Sequence, residues 1–506
     1  MKVEVMDTTL RDGEQTSGIA FTDSEKLNIA KMLLEEVMVD RIEIASARIS
    51  KGEFDAVTKI TNWAKEKGFL EKIEVLGFID GFSSLDWIER AGARTVNLLC
   101  KGSLKHVIGQ LRKTPEEHLE DIRKTIAEAI KRGIQVNVYL EDWSNGMRNS
   151  PEYVYFLVDA LKDEPIRRIM LPDTLGILNP YEMLDFATKM VERYPGIHFD
   201  THTHNDYDLS VANVLAAVKA GFKGVHTTVN GLGERAGNAP LSSVIAVLKD
   251  QNKSVLNVKE QKLNTISKLV EAFSGIRIPN NKPVVGDNVF TQTCGVHADG
   301  DTKDNLYFND LIPERFGRVR EYALGKTSGK ASIGNNLKEL GIELDADTMQ
   351  KVTKRVVELG DKKEYITKED LPFIIADVLG SNVNDEKIRI RNYYTCHAYN
   401  MKPVSTVSIE INGKLYEESS SGDGQYDAFM RALKKIYKGL DKDFPTLNNY
   451  LVRIPPGGRT DALVETIITW QLGIREFKTR GLDSDQTEAA IKATLKMLNM
   501  LEYMSD

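Results

Sequence analysis

Eight times in about its first 260 residues this chain alternates a short apolar run with a stretch of helical periodicity, and few folds accept that rhythm. The candidate strands are 3–7, 40–45, 73–78, 94–99, 135–140, 167–171, 197–202 and 223–229. Eight β/α units over about 260 residues predict a TIM barrel, with a doubly wound open sheet as the competing architecture. The helical stretches support the count. Thr22, Asp23, Ser24 and Glu25 form a capping box ahead of Leu27, Ala30, Leu34 and Val37. Phe54, Val57, Ile60 and Ala64 make a second stripe, stopped by Gly68.

In such a barrel the chemistry sits where strands end at the C-terminal face, so the residues after each strand are the informative ones. The first strand runs into Asp7, Thr8, Thr9, Leu10, Arg11, Asp12, Gly13, Glu14 and Gln15, a polar run well ahead of the capped helix. Asp12 offers a hard oxygen ligand and Arg11 a donor for a carbonyl or carboxylate, although a solvated loop with a local Asp–Arg pair reads the same way. The third and fourth strands place Leu76, Phe78, Leu98 and Leu99 near the mouth. On the fifth, Tyr139 and Glu141 share a face, and Glu141 is a candidate acid or base. The sixth brings the hydroxyl of Thr174 to the rim. The seventh carries His202 and His204, which strand alternation projects from one face. Two imidazoles so placed suit a divalent metal; the alternative is two strand histidines with local hydrogen bonds. The eighth runs into a glycine-rich turn, 230–238, that lets backbone approach a ligand closely. His226 is expected to satisfy a local partner. His106 and His118, among Lys and Glu residues, are expected at the surface, and none of the three is given a role.

Composition narrows the class. A length of 506 residues allows two to four domains, and 41% hydrophobic with 28% charged residues is ordinary for a soluble globular protein. A net charge of −7 gives no electrostatic reason to expect nucleic acid, and no apolar run is long enough to cross a membrane. Residues 1–7 read as a strand rather than a signal peptide. Cys100, Cys294 and Cys396 show neither a disulfide framework nor metal spacing. They point to a reducing cytosol and to packed small residues rather than nucleophiles.

Four ordered motifs then converge. LRDGEQ occupies residues 10–15 with Lys26 in register, HTHND 202–206, NGLGERAGN 230–238 and GVHADG 295–300. In these the chain resembles, almost end to end, the 2-isopropylmalate synthase, homocitrate synthase and citramalate synthase family of metal-dependent Claisen-condensing barrels. The resemblance implies a metal held by Asp12, His202, His204 and Asn238, with Mg²⁺ or Mn²⁺ favoured and Zn²⁺ or Co²⁺ allowed by the mixed donors. It implies Arg11 on the developing alkoxide, Thr174 on the carboxylate of a 2-oxo acid, and Glu141 with His297 as the base system for acetyl-CoA. Pyruvate-selective members are similar in placing Leu, Leu and Tyr around the side chain of the 2-oxo acid, here Leu76, Leu99 and Tyr139. Bulky walls leave room for a methyl group and crowd an isopropyl group. The expected reaction is condensation of acetyl-CoA with pyruvate to (R)-citramalate and CoA, feeding isoleucine synthesis. The alternative is condensation with 2-oxoisovalerate in the leucine pathway. Asp208 stands where many members have Gly, which points away from the isopropylmalate branch.

Beyond about residue 265 the barrel rhythm stops. Pro279 and Pro283 mark a turn-rich stretch that leads to His297, and 330–376 is helical in pattern. The last part reads as a duplication: the segment around Tyr426 and Asp427 echoes that around Thr487 and Glu488, and strand-like runs at 404–411 and 462–471 precede them. The expected architecture is therefore α/β: a TIM (β/α)8 barrel over 1–265, a helical linker region over 266–380 carrying an active-site histidine, and a C-terminal α+β regulatory domain over 381–506 with two βββα-like halves. By resemblance this last domain binds an end-product amino acid, isoleucine or alternatively leucine. Its contacts would be Tyr426, Asp427, Leu447, Tyr450, Ile454, Val464 and Gln486, with Tyr307 relaying occupancy, in a cytoplasmic homodimer. Ser484 departs from the Pro of close relatives, and His397 stands isolated. Two other classes compete. An acyl-CoA lyase on the same barrel is opposed by the long C-terminus. A silent amino-acid sensor is opposed by the intact Arg11, Asp12, His202 and His204.

Overall fold

The computed structural model describes residues 1–361, 366, 368–378, 387–453, 464–473 and 475–504. Its first strands are β1 (Glu4–Asp7), β2 (Arg41–Ser46), β3 (Ile73–Phe78), β4 (Thr95–Lys101), β5 (Gln135–Glu141), β6 (Ile169–Asp173), β7 (Phe199–Thr203) and β8 (Gly224–Thr227). All are parallel, and β1 pairs with β2 on one side and β8 on the other, so the sheet closes and the open-sheet alternative is excluded.

The covering helices form for local reasons. The Glu25 amide donates to Thr22 Oγ1 at 3.3 Å and the Thr22 amide to the Glu25 carboxylate at 2.8 Å, a complete capping box for the helix Asp23–Lys31. The helix Lys51–Lys67 turns Val57, Ile60 and Ala64 into the core and ends at a left-handed Gly68. The helix Pro115–Lys131 corrects one expectation. His118 is buried with Leu119, Ile122 and Ala129, because it falls on their stripe while its charged neighbours take the opposite face. Its Nε2 accepts from the Lys101 amide at 3.1 Å, and burial holds its pKa down to about 4. Cys100 is buried as expected, but Cys396 is exposed and is not a packed residue.

The chain forms two compact units, Met1–Phe290 with Phe308–Arg320, and Thr291–Tyr307 with Glu321–Asp506. In the second, β9 (Thr291–Gln292) pairs with β10 (Glu321–Tyr322). The helices Lys330–Glu339, Ala346–Asp361 and Leu371–Val378 then pack around Ile333, Leu337, Val352, Val356 and Leu371. Next come β11 (Ile388–Cys396), β12 (Val404–Ile411), β13 (Lys414–Ser421) and the helix Gln425–Gly439. They are followed by β14 (Thr446–Arg453), β15 (Val464–Leu472), β16 (Arg475–Asp483) and the helix Gln486–Met504. Each triplet is an antiparallel sheet, so both βββα halves read from the duplication are present. They share a core that includes Ile409, Phe429, Leu433, Ile468, Trp470 and Met497. Among the described residues no helix is long and apolar enough to cross a membrane.

Candidate active site

After Asp7 the chain turns back on itself: the amides of Asp12 and Gly13 both donate to the Thr8 carbonyl, at 2.9 and 3.0 Å. Lys26 pins the turn from the following helix. Its buried ammonium donates to the Leu10 carbonyl at 3.2 Å and pairs with Glu14 at 2.6 Å and with Glu53. The turn delivers Arg11 and Asp12 to the C-terminal mouth. Arg11 Nε donates to Glu43 Oε2 at 2.6 Å and Nη1 to Asp12 Oδ2 at 3.1 Å, while Nη2 lies 3.5 Å from Tyr139 Oη. Glu43, fully buried on β2, also accepts from Thr8 Oγ1 at 2.7 Å and Asn97 Nδ2 at 2.8 Å; Asn137 Nδ2 donates on to Asn97 Oδ1 at 2.7 Å. Burial opposes charge on Arg11, but Glu43 and Asp12 outweigh it and keep the guanidinium firmly protonated. Its donors are thereby aimed rather than free.

Alternation on β7 puts Asp200 and His202 on one face, and His204 continues that face just past the strand's last residue, Thr203. Asp12 Oδ2 lies 3.1 Å from His202 Nε2 and 3.9 Å from His204 Nε2, and the two Nε2 atoms are 3.4 Å apart. The glycine-rich turn after β8 folds back to form an isolated antiparallel bridge between His204 and Asn238. Only glycine fits there: Gly237 has φ +82°, and a Cβ on it would lie 1.9 Å from the Gly231 carbonyl oxygen. Asn238 Nδ2 donates to the Leu232 carbonyl at 3.1 Å. Asn238 Oδ1 and Asp12 Oδ1 are buried with no hydrogen-bond partner among the described residues. Burial, reinforced by the His202 ring, holds the His204 pKa down to about 4. Burial opposes ionisation of Asp12, but Arg11 and His202 pull its carboxyl well below the usual range. A carboxylate, two imidazoles and an amide oxygen, with two buried oxygens otherwise unsatisfied, fit a divalent cation.

Beside this group Leu76, Leu99 and Tyr139 form a small inward cluster with Met6, Phe78 and Met170, separate from the main core. Glu141 is ion-paired with Lys101 at the end of β4. Thr174 Oγ1 accepts from the Asp142 amide at 2.9 Å. Arg235 of the glycine-rich turn donates to the Thr174 carbonyl at 2.8 Å and pairs with Asp206 at 2.8 Å. Arg11, Asp12, Leu76, Leu99, Tyr139, His202, His204 and Asn238 are thus brought together within the first unit. His297 belongs to the second, on the helix Gly295–Asp304, with Tyr307 against its ring.

The second unit also holds a cavity of about 890 Å³ lined by Tyr426, Asp427, Leu447, Tyr450 and Gln486 from the expected effector set. Val464 is not in its lining, and Ile454 lies outside the described residues. Asp427 already pairs with Arg431 at 2.9 Å. His397, isolated in sequence, lines the same cavity together with Lys434.

Sequence reasoning missed Glu43, Asn97, Asn137 and Lys101, and it left His226 without a role. Asn97 and Asn137 carried a usable signal, because they are inward polar residues at the same register of adjacent apolar strands. His226 does meet partners, but they are distant in sequence: Tyr139 Oη at 3.0 Å from Nδ1, and Asp200 Oδ2 at 3.1 Å from Nε2.

Comparison with known proteins bears on all three regions. The HMGL-like family matches residues 2–270, a homocitrate synthase post-HMGL domain-like family residues 284–364, and the LeuA allosteric (dimerisation) domain residues 365–502. A Methanopyrus kandleri protein with a provisional (R)-citramalate synthase name is 37% identical over 91% of this chain and 89% of its own. Two Methanocaldococcus jannaschii proteins, named (R)-citramalate synthase and 2-isopropylmalate synthase, are each 33% identical over 99% of this chain, covering 100% and 95% of their own lengths.

Proposed function

This chain belongs to the 2-isopropylmalate synthase, homocitrate synthase and citramalate synthase family of acyltransferases, and from that premise we propose that it condenses acetyl-CoA with pyruvate to give (R)-citramalate and CoA. The observation that carries the choice of pyruvate is the inward cluster of Leu76, Leu99 and Tyr139, with Tyr139 Oη 3.5 Å from Arg11 Nη2. Three bulky walls leave room for a methyl group and exclude an isopropyl group by contact. Lost contacts alone would discriminate by only about 1–3 kcal/mol per methylene.

In this scheme Asp12, His202 and His204, joined by the otherwise unsatisfied Asn238 Oδ1, would hold a divalent cation, Mg²⁺ or Mn²⁺ foremost, with Zn²⁺ and Co²⁺ also suited to the donors. Such a cation supplies Lewis-acid polarisation of the keto group when bound. Thr174 holds the carboxylate of the 2-oxo acid. Arg11, fixed by Glu43, keeps its guanidinium where negative charge grows on the keto oxygen as the carbon is attacked. Glu141, with Lys101 against it, and His297 are the two candidates for the base that takes a methyl proton of acetyl-CoA. Hydrolysis of the thioester then releases CoA and makes the condensation effectively irreversible.

The same reading divides the chain into a catalytic barrel over 1–265, a linker region over 266–380 and a regulatory and dimerising domain over 381–506. The cavity around Tyr426 and Tyr450 takes isoleucine, its apolar walls receiving the side chain, in a cytoplasmic homodimer. A second reading, 2-isopropylmalate synthesis from 2-oxoisovalerate under leucine control, stands beside it because the two M. jannaschii relatives are equally similar to this chain at 33% and so do not separate the two activities.

The deciding experiment is CoA release from acetyl-CoA in Mg²⁺ or Mn²⁺, with pyruvate and 2-oxoisovalerate offered separately. Preference for pyruvate is expected. Preference for 2-oxoisovalerate would overturn the pocket argument, and release with neither would return the lyase and sensor readings.

A further inference from the structure

We infer that His226 is a positioning residue for substrate selection, acting through the hydroxyl of Tyr139. The inference rests on the pocket reading above. Three fully buried groups form a line across the barrel interior: Asp200 on β7, His226 on β8 and Tyr139 on β5. His226 Nε2 lies 3.1 Å from Asp200 Oδ2, and His226 Nδ1 lies 3.0 Å from Tyr139 Oη. Asp200 cannot drift, because Arg41 Nη2 donates to the same Oδ2 at 2.7 Å and Arg41 Nη1 is tied to Glu74 at 3.0 Å. Gly224 on β8 is the space that admits this carboxylate, since a Cβ there would lie 1.8 Å from Asp200 Oδ1.

The consequence is directional. With Nε2 turned to a carboxylate, the imidazole carries its proton there and offers Nδ1 as an acceptor. The Tyr139 hydroxyl therefore donates into the barrel, toward His226, and its oxygen is left to accept from Arg11 Nη2 at 3.5 Å. Around the ring are Met6, Leu76 and Met170, none of which offers a strong hydrogen-bond acceptor. Without His226 the phenol would keep only the long contact from Arg11 Nη2, at 3.5 Å. The edge-on contact of the two rings, with centroids 5.6 Å apart and planes at 80°, adds a steric stop to the hydrogen bond. Tyr139 is then a wall of fixed depth rather than a side chain free to yield to a larger substrate.

The test is a double-mutant cycle on the metal-supplied enzyme, read as the ratio of kcat/KM for pyruvate to that for 2-oxoisovalerate. Tyr139→Phe and His226→Gln are each expected to change this ratio by about tenfold. The double variant is expected to change it no further, because both remove the same hydrogen bond. His226→Asn, which keeps an amide near the position of Nδ1, is expected to recover most of the ratio. Additive effects in the double variant, or a wild-type ratio in a folded His226→Gln, would overturn the inference. Should His226→Gln not fold, His226→Asn carries the question: a ratio near wild type supports the inference and a collapsed ratio overturns it. A wild-type enzyme that prefers 2-oxoisovalerate would end the choice of pyruvate; the inference needs only that Tyr139 line the 2-oxo acid pocket, and the cycle still decides it, non-additivity supporting it and additivity overturning it whichever acid is favoured. If neither acid is turned over, the same cycle is run on binding of the two acids by calorimetry.

Discussion

The ring of Tyr307 lies against that of His297, with centroids 4.2 Å apart and planes inclined by 32°. Gly300, one turn after His297, is what permits it: a Cβ at 300 would lie 2.5 Å from Tyr307 Cε2. The last glycine of the GVHADG motif thus has a packing reason, and the imidazole proposed for proton transfer touches the tyrosine proposed as the relay.

Gly300→Ala is therefore expected to displace Tyr307 and disturb His297 without removing either. If His297 acts in proton transfer, His297→Ala should lower kcat by about a hundredfold or more, and Gly300→Ala should fall between it and wild type. Steady-state kinetics on the two variants check this, and unchanged kcat in Gly300→Ala would break the link.

Removal of divalent metal should stop turnover and lower thermal stability, because Asp12 Oδ1 and Asn238 Oδ1 then have no hydrogen-bond partner among the described residues. Restoring a metal at a hundred times its Kd adds about 2.7 kcal/mol. Thermal unfolding with and without Mn²⁺ should show the shift in wild type and its loss in Asp12→Asn.

The Asp7 carboxyl is pushed up to about 7 by burial, against the hydrogen bond it accepts from the Thr9 amide at 3.0 Å. Its pKa is raised above the unfolded value of 3.8, so its contribution to stability is full below about pH 4 and is lost as pH rises through 7. Asp7→Asn keeps an acceptor for Thr9 and carries no charge. It is expected to flatten the loss of stability between pH 4 and 8, a gain bounded at about 4 kcal/mol at the upper end. Denaturant unfolding of both proteins across that range measures it.

Asp208 has φ +57°. Its carboxylate accepts from Asn205 Nδ2 at 3.0 Å, the local bond that lets Asp hold a left-handed conformation. Asp208→Gly is expected to change stability by less than about 1 kcal/mol and to leave the choice of 2-oxo acid unaltered. A shift in that choice would show that Asp208 bears on specificity.

Much of the barrel was legible because its signals are local. Alternation placed His202 with His204 on a shared face, and the two rings do meet, with Nε2 atoms 3.4 Å apart. His118 was misread although its signal was also local: Ile122, Thr125 and Ala129 mark its face of the helix, and the charged neighbours drew attention to the other. The partners of the site residues were not legible in this way. Arg11 and Glu43 are 32 residues apart, Asn97 and Glu43 54, and Tyr139 and His226 87. No spacing rule reaches across such separations.

The sequence by itself determined the eight β/α units, the duplicated C-terminal half and the pairing of the imidazole donors His202 and His204, since periodicity and alternation are properties of neighbouring residues. Tertiary structure alone decided what holds those donors in place: closure of β1 on β8, the bridge that carries Asn238 to His204, and the buried lines from Arg11 to Glu43 and from Tyr139 through His226 to Asp200. The physical reason is that a barrel interior is assembled from one or two residues of every strand. Which polar group meets which is set by strand register around the ring and is written in no single stretch of chain.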